Sequence, residues 1–134
     1  MSADKKAEAE ANKALVLAGI KGVFVDRDAT VLDRMFDDNY QQHNPQIPNG
    51  TDAIKALLGN LPADFKYEPG LVVADGDYVA IHGRYVGWGP KPMVAVDLFR
   101  VANGKIVEHW DVMQEEVPAS HTASGNGMLT LPRE

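Results

Sequence analysis

The sequence predicts an α+β fold in which N-terminal helices cover one face of an antiparallel sheet. Apolar residues recur at helical spacing in the first 61 positions, and β-prone runs occupy residues 65–114. The pairs Asp75-Gly76 and Asn103-Gly104 interrupt these runs, and such pairs mark tight hairpins. Helices followed by strands that neighbour one another in sequence are the pattern of an α+β layout.

Three helices are expected before residue 62. The first spans residues 5–25, because it opens with good helix formers and continues with an apolar stripe of Val16, Ile20 and Val23. Asp28 is the expected N-cap of a short helix over residues 29–36. Thr51 is the expected N-cap of the third helix. The buried stripe of that helix comprises Ile54, Leu57, Leu58 and Leu61.

The remainder of the domain is expected to form a sheet. Residues 40–50, between the second and third helices, are polar and carry two prolines, so they form a loop or a short irregular strand. The expected strands are 65–68, which is weak, 71–74, 78–86, and the two arms of a hairpin over 93–114 that follows the loop 87–92. The chain is mostly polar from Val117 onward. We therefore expect one domain over residues 1–118 and an irregular tail over residues 119–134.

Composition narrows the possible partners and the compartment. The chain has 134 residues, a net charge of −6 and no cysteine. An acidic chain is poorly suited to nucleic acid or anionic membranes, and the absence of cysteine excludes disulfides and thiol catalysis. No apolar run reaches the length of a membrane span, and the first residues lack the apolar core of a signal peptide. We therefore expect a cytoplasmic protein with no nucleic-acid or membrane partner.

The hairpin over residues 93–114 carries acids and a histidine among apolar residues. With a three-residue loop over 102–104, Asp97 falls opposite His109 and Ala95 falls opposite Asp111. With a two-residue loop, Asp97 faces Trp110 and the polar cluster is lost. His109 and Asp111 share a face in either case, because side chains two residues apart on a strand point the same way.

Both faces of this hairpin are largely apolar, so we expect both to be covered. In the three-residue register, the first face carries Ala95, Asp97, Phe99, Val107, His109, Asp111 and Met113. The second carries Val94, Val96, Leu98, Arg100, Ile106, Glu108, Trp110 and Val112, with Arg100 and Glu108 as a cross-strand ion pair. Burying the polar groups of the first face requires partners or a wet cavity. Either they form a pocket that contains an acid or base, or Asp111 caps a loop or pairs with an arginine.

Three segments stand out together: Tyr40-Gln-Gln-His-Asn-Pro, Asn49-Gly-Thr-Asp-Ala-Ile, and the hairpin from Asp97 to Asp111. They resemble the SnoaL-like polyketide cyclase group of the nuclear-transport-factor-2-like (NTF2-like) superfamily, over roughly residues 10–118. The resemblance implies a cone, in which a curved antiparallel sheet wraps the helices around a deep internal pocket. It also implies a homodimer formed through the opposite face of the sheet.

The same resemblance implies an enzyme that needs no cofactor. The characterised cyclases close a ring by an intramolecular aldol reaction, with a pocket aspartate as acid and base. By its position in the motif, that aspartate corresponds to Asp111. Asp97 stands on the preceding strand where the cyclases carry a second polar pocket residue, a histidine, and this difference bears on the exact reaction.

An aldol or isomerase reaction removes a proton from the carbon next to a carbonyl group, so it needs a base and a donor for the enolate oxygen. A carboxylate serves as that base where apolar walls raise its pKa. We assign Asp111 as the base, and Asp97 or His109 as the donor or orienting group. The substrate-binding candidates are Tyr40, His43, Asn44, His82, Trp88, Phe99 and Met113. A purely structural role is the alternative for His43 and His82, and Trp88 is either a lid or a loop anchor.

The sequence therefore predicts a lyase- or isomerase-type acid–base enzyme that acts on a small hydrophobic carbonyl compound without a cofactor. One alternative is a protein that binds a hydrophobic metabolite in the same pocket without catalysis. Another is an interaction module that acts through the exposed sheet face. No metal site is predicted, because His109 and Asp111 are the only candidate ligands that lie close together in sequence.

Overall fold

The fold places three helices against one face of a five-stranded sheet. The computed structural model describes residues 3–131. The helices are α1 (Ala3–Phe24), α2 (Thr30–Met35) and α3 (Asp52–Asn60). The strands are β1 (Phe36–Gln42), β2 (Lys66–Asp75), β3 (Tyr78–Val86), β4 (Met93–Ala102) and β5 (Lys105–Glu115), and a one-turn 3₁₀ helix covers Ala119–His121. Helices therefore precede most of the strands, as the α+β prediction requires.

The sheet is mixed and not wholly antiparallel as predicted. Its strand order is β1-β5-β4-β3-β2, and β1 runs parallel to β5 while all other neighbours are antiparallel. The sequence hides β1 because this edge strand is polar and only Phe36 and Tyr40 are fully buried in it. The second predicted helix therefore ends at Met35, and Phe36 already belongs to the sheet.

The helix boundaries follow the sequence closely, but the two predicted caps do not. The N-cap position of α2 is Ala29, one residue after the predicted Asp28. The side chain of Asp28 still accepts a hydrogen bond from the backbone N–H of Thr30 at 3.0 Å, so it stabilises the start of α2. Thr51 precedes α3, yet its side chain makes no capping hydrogen bond. Of the predicted stripe in α3, only Ile54 is fully buried, because this helix is short and lies at the rim of the core.

Close packing around Gly70, in the middle of β2, requires a glycine at this position. The two predicted strands over 65–68 and 71–74 are one strand with a register shift between Pro69 and Val72. A Cβ atom on Gly70 would lie 2.6 Å from the carbonyl oxygen of His82 and 2.7 Å from that of Thr130. The C-terminal segment thus crosses the outer face of the sheet at this point, and a side chain here would displace it.

The β4–β5 hairpin has a two-residue loop and not the predicted three-residue loop. Asn103 and Gly104 have φ values of 53° and 72°, the left-handed conformation that this tight turn requires at both positions. The ladder pairs Val101 with Ile106 and Arg100 with Glu108. Val107 is therefore an extra residue, a β-bulge on β5.

The bulge preserves the polar cluster that a two-residue loop alone would have dispersed. An extra residue reverses the side-chain alternation of the rest of the strand. Asp97 therefore lies opposite Asp111, and Phe99 lies opposite His109, so the predicted pairing of Asp97 with His109 is wrong. The predicted outer-face position of Ile106 is also wrong, because Ile106 pairs with Val101 and is fully buried in the core.

The outer face of the sheet is only partly covered. Val112, Val73 and Val96 are 76%, 64% and 44% exposed, so the described part of the chain does not complete the cover expected over this face. Trp110 is half-buried on the same face. None of the helices within residues 3–131 combines the length and hydrophobicity needed to cross a membrane.

Candidate active site

A small cavity lies between the helices and the inner face of the sheet. Its volume is about 40 Å³, room for a few water molecules or for the small end of a ligand. Its walls are mainly aliphatic and aromatic, with one group of polar side chains on β4 and β5. The lining residues are Ile20, Val23, Phe24, Leu32, Phe36, Tyr40, Gln42, Ile47, Ile54, Leu57, Tyr85, Trp88, Asp97, Phe99, His109, Asp111 and Met113.

Asp97 is the most deeply placed acid, with a side chain that is 5% exposed. Its Oδ2 accepts a hydrogen bond from the Tyr85 hydroxyl at 2.8 Å, and its Oδ1 lies 2.8 Å from Nε2 of His109. Both carboxyl oxygens therefore have partners, as buried polar groups require.

His109 connects this acid to β1. Its ring packs between Phe99 and Tyr40, with centroid separations of 4.9 and 6.5 Å. Its Nδ1 makes a short hydrogen bond to Oε1 of Gln42. The imidazole is thus held by aromatic rings on its sides and by a polar partner at each nitrogen.

Asp111 occupies the junction between the cavity and a wider mouth. Its Oδ2 accepts a hydrogen bond from the side-chain amide of Asn44 at 2.6 Å and lies 3.8 Å from His109 Nε2. The mouth has a volume of about 490 Å³. It is lined by Asn44, Pro45, Gln46, Trp88, Gly89, Met93, Asp111 and Met113. A ligand that enters from solvent therefore meets Asp111 before it meets Asp97.

Two tyrosines in this site keep their hydroxyl protons. Burial, followed by the charges of Asp97 and Asp111, raises the pKa of Tyr40 well above its usual value. Burial and the charge of Asp97 do the same to the pKa of Tyr85. Both hydroxyls are therefore hydrogen-bond donors at neutral pH.

The polar group also meets the simplest geometric requirement for a cation. Asp97, His109 and Asp111 can each offer one ligand atom, and these three atoms lie within 4.8 Å of one another. Oxygen and imidazole ligands suit several divalent metals. The same atoms are those that acid–base chemistry would use, so the two uses compete for the site.

Comparison with known proteins identifies the family. Residues 18–109 match the SnoaL-like domain. The chain belongs to this family. The resemblance drawn from the sequence is therefore confirmed, and no curated protein gives a match.

Solved structures share the fold of this SnoaL-like domain. A proposed ketosteroid isomerase from Kribbella flavida DSM 17836 is 19% identical, with a TM-score of 0.69 over 81% of each chain. A proposed polyketide cyclase from Bacillus cereus ATCC 10987 is 20% identical, with a TM-score of 0.62 over 72% of this chain and 70% of its own. An M. tuberculosis LEH-like epoxide hydrolase is 19% identical, with a TM-score of 0.64 over 80% of this chain and 85% of its own. At these identities the likeness shows the NTF2-like fold alone, and a general enzyme-type family is consistent with it.

The SnoaL-like domain brings most of the predicted site residues together. Asp97, His109 and Asp111 share the cavity, and the predicted binding residues around it and its mouth are Tyr40, Asn44, Trp88, Phe99 and Met113. His82 is elsewhere: it lies in a depression on the outer face beside Val96 and Met128. Its neighbours Ile81 and Gly83 are the residues that point inward on β3.

His43 also lies outside the pocket, contrary to the binding role predicted for it. Its ring stacks on Trp110 at 4.9 Å, and its Nε2 lies 2.7 Å from Glu108. Glu108 in turn accepts a hydrogen bond from Arg100 at 2.9 Å, the predicted cross-strand pair. Side chains alternate where β1 ends, so Asn44 points inward and His43 points outward.

Two residues of the site were not predicted from the sequence. Gln42 was treated as part of a polar loop or short irregular strand, and Tyr85 as an ordinary strand residue. Alternation gave a usable signal for Tyr85, because it shares the inner face of β3 with Val79 and Ile81. No comparable signal existed for Gln42, because the sequence does not show how this segment pairs with β5.

Proposed function

We propose that this SnoaL-like domain is a cofactor-independent acid–base enzyme of the lyase or isomerase type. Its substrate would be a small hydrophobic carbonyl compound, and its reaction an aldol-type cyclisation or a related proton transfer. One observation carries the proposal: two carboxyl groups with different hydrogen-bond partners have oxygen atoms within 4.8 Å of each other, in a cavity whose walls are mainly aliphatic and aromatic. Paired acids in unequal surroundings are the usual arrangement for dividing the roles of acid and base.

The roles follow from position and partners. Asp111 stands at the mouth, where a substrate carbon arrives first, and an amide holds one of its oxygens. It would act as the base that removes a proton from the carbon next to the carbonyl. The buried pair of Asp97 and His109 would donate a proton to the enolate oxygen as negative charge develops there. In an isomerisation, Asp111 would then return its proton to a different carbon.

The apolar walls support the choice of substrate class. Aliphatic and aromatic side chains favour a hydrophobic ligand end, and the wider mouth leaves room for a larger body. Excluding water from the inner cavity would also strengthen the hydrogen bonds made to the developing enolate.

The test is proton exchange in D₂O. The protein would be incubated with a panel of β-keto esters and cyclic enones, and loss of the proton next to the carbonyl would be followed by ¹H NMR. We expect Asp111→Asn to slow the exchange by about a hundredfold or more. Asp64→Asn makes the same change at an exposed acid and should match the wild type.

Different results would point to different functions. Equal exchange by Asp111→Asn and wild type on an accepted substrate would remove Asp111 as the base. A ligand that gives equal saturation-transfer NMR signals with the wild type and with Asp111→Asn, while neither protein catalyses proton exchange, would favour the non-catalytic binding function. Exchange that disappears with EDTA and returns with a divalent metal would favour the metal-binding use of the same side chains.

The exposed apolar residues of the outer face support a homodimer, as part of the same proposal. Val112 is 76% exposed, and exposed apolar groups on one face favour burial against a second copy. Light scattering should therefore give the mass of a dimer for the wild type and of a monomer for Val112→Lys. Val25→Lys alters a residue that is 52% exposed and lies away from the sheet, so it should remain dimeric. A monomeric wild type would refute the proposal.

A further inference from the structure

Gln42 is the residue whose position carries a further inference about the site. It ends β1 and pairs with His109 of β5 in the parallel ladder. Its own backbone N–H donates to the side chain of Asn49 at 2.9 Å, and the N–H of His43 donates to the carbonyl oxygen of His109 at 2.9 Å. These backbone contacts fix where the Gln42 side chain starts, and it lines the cavity.

The orientation of the Gln42 amide is determined by a neighbour that can only donate. The backbone N–H of Asn44 lies 3.1 Å from Oε1 of Gln42. If the amide were reversed, an NH₂ group would face that N–H and the hydrogen bond would be lost. The atom is therefore the amide oxygen, which accepts hydrogen bonds and never donates them.

The same oxygen determines the protonation of one nitrogen of His109. Oε1 of Gln42 faces Nδ1 of His109 at hydrogen-bond distance. Because the oxygen has no hydrogen to give, Nδ1 must carry one. The hydrogen bond between Oδ1 of Asp97 and Nε2 of His109, at 2.8 Å, then needs a further proton. This proton sits either on the carboxyl group or on the imidazole.

We propose that Gln42 is a positioning residue that locks His109 as the Nδ1–H form and so keeps a transferable proton between Asp97 and His109. Without that proton, the Nε2 lone pair would face a carboxylate oxygen. Moving the Nδ1 hydrogen to Nε2 would relieve this contact but would place a lone pair against the Gln42 oxygen. Gln42 therefore disfavours loss of the shared proton from the Asp97–His109 pair, whether the remaining imidazole hydrogen is on Nδ1 or on Nε2.

This inference rests on the proposed function and assigns its proton donor. In the forward step, Asp111 would take the proton from carbon while the Asp97–His109 pair gives its proton to the enolate oxygen. Asp111 would then hold one extra proton and the pair one fewer. The site would be restored as the carbonyl group re-forms. The enol O–H would return its proton to the Asp97–His109 pair, and Asp111 would give the proton it holds to another carbon in an isomerisation or to the new alkoxide oxygen in an aldol closure.

The first test needs no substrate. Long-range ¹H–¹⁵N correlation spectra at pH 7 would distinguish a protonated from an unprotonated Nδ1 in His109. We expect a protonated Nδ1 in the wild type and in Gln42→Glu, which keeps an accepting oxygen. In Gln42→Met, which has no such oxygen, we expect the hydrogen to move to Nε2. An unprotonated Nδ1 in the wild type would overturn the inference, as would an unchanged Nδ1–H form in Gln42→Met.

The neighbouring glutamine provides a matched control. Gln41 is exposed and precedes Gln42 on β1, so Gln41→Met should leave the His109 spectrum and the exchange rate unchanged. On an accepted substrate, Gln42→Met should lower kcat by at least about tenfold with little change in KM, and Gln42→Glu should recover part of the loss. Loss of activity without the change in protonation would refute the positioning role alone. Absence of exchange by every protein, with the expected spectra, would refute the proposed function alone.

Discussion

Two neighbouring tyrosines offer a sharp test of the hydrogen bonding around Asp97. Tyr67 and Tyr85 are both buried, and their ring centroids are 4.7 Å apart. The Tyr85 hydroxyl donates to Asp97 at 2.8 Å. The Tyr67 hydroxyl is also buried but has no hydrogen-bond partner within the described residues. The substitution Tyr→Phe removes one oxygen atom in each case, so the pair isolates the effect of the bond.

We expect Tyr85→Phe and Tyr67→Phe to change the free energy of unfolding by different amounts, because only Tyr85→Phe leaves a hydrogen-bond partner behind. Tyr85→Phe leaves a buried carboxyl oxygen without a donor, which costs about 1–3 kcal/mol. Tyr67→Phe removes a hydroxyl that pays its desolvation cost without a bond in return, so the change should lie within about 0.5 kcal/mol of zero or be stabilising. For a chain of this length, we expect Tyr85→Phe to lower the Tm by about 3–15 °C.

Urea unfolding at pH 7, followed by tryptophan fluorescence, would measure both variants. Equal destabilisation by Tyr67→Phe and Tyr85→Phe would refute the reasoning, and so would a change below about 0.5 kcal/mol for Tyr85→Phe. A double-mutant cycle with Asp97→Asn provides the control. The effect of Tyr85→Phe should shrink in that background, because the carboxyl acceptor is already gone.

Three further predictions concern the hairpin. Deleting Val107 removes the bulge and turns the rest of β5 over, so we expect no cooperative thermal unfolding, whereas deleting the exposed Ala123 should preserve it. Asn103→Ala places an ordinary residue at φ 53° and should lower the unfolding free energy by about 1 kcal/mol, while Asn103→Gly should be near neutral. Hydrogen bonds from His43 and Arg100 lower the pKa of Glu108 in the folded protein. The contribution of Glu108 to the free energy of unfolding is therefore complete above its pKa in the unfolded chain. That contribution is lost as the pH falls through its lower pKa in the folded protein. Glu108→Gln should therefore cost up to about 1 kcal/mol in urea unfolding at pH 7, and progressively less as the pH falls below 4.5.

Each of these predictions has a clear contrary result. A folded Val107 deletion with an intact polar cluster would show that the bulge does not set the register. Asn103→Ala and Asn103→Gly of equal stability would remove the strain argument for the turn. A deficit in Glu108→Gln that grows at low pH would reverse the sign expected for an acid with a lowered pKa.

The sequence was sufficient to predict those elements and side-chain faces that depend on local alternation or helical spacing. α1 and β3 lie where the patterns of Val16, Ile20 and Val23 and of residues 78–86 place them. His109 and Asp111 share the inner face, as two residues of a strand separated by one must. The family was also within reach, because its motif lies in the continuous segment from Asp97 to Asp111.

Other features depended on partners distant in sequence. β1 shows little strand pattern of its own, because it is an edge strand whose partner, β5, lies more than sixty residues later. Only that pairing decides that Gln42 and Asn44 point inward while His43 points outward. The neighbouring helix α1 decides the environment of Ile106, whose Cδ1 would lie 2.8 Å from a Cβ atom on Gly19.

The sequence by itself therefore determined the α+β class, the family and the shared face of His109 and Asp111, because periodicity and motif are properties of neighbouring residues. The tertiary structure alone decided that Asp97 faces Asp111, because this register depends on both the Asn103-Gly104 turn and the bulge at Val107. The two-residue turn pairs Ile106 with Val101 and so turns Ile106 into the core, where it packs over Gly19. That contact joins residues far apart along the chain, and no local pattern encodes it.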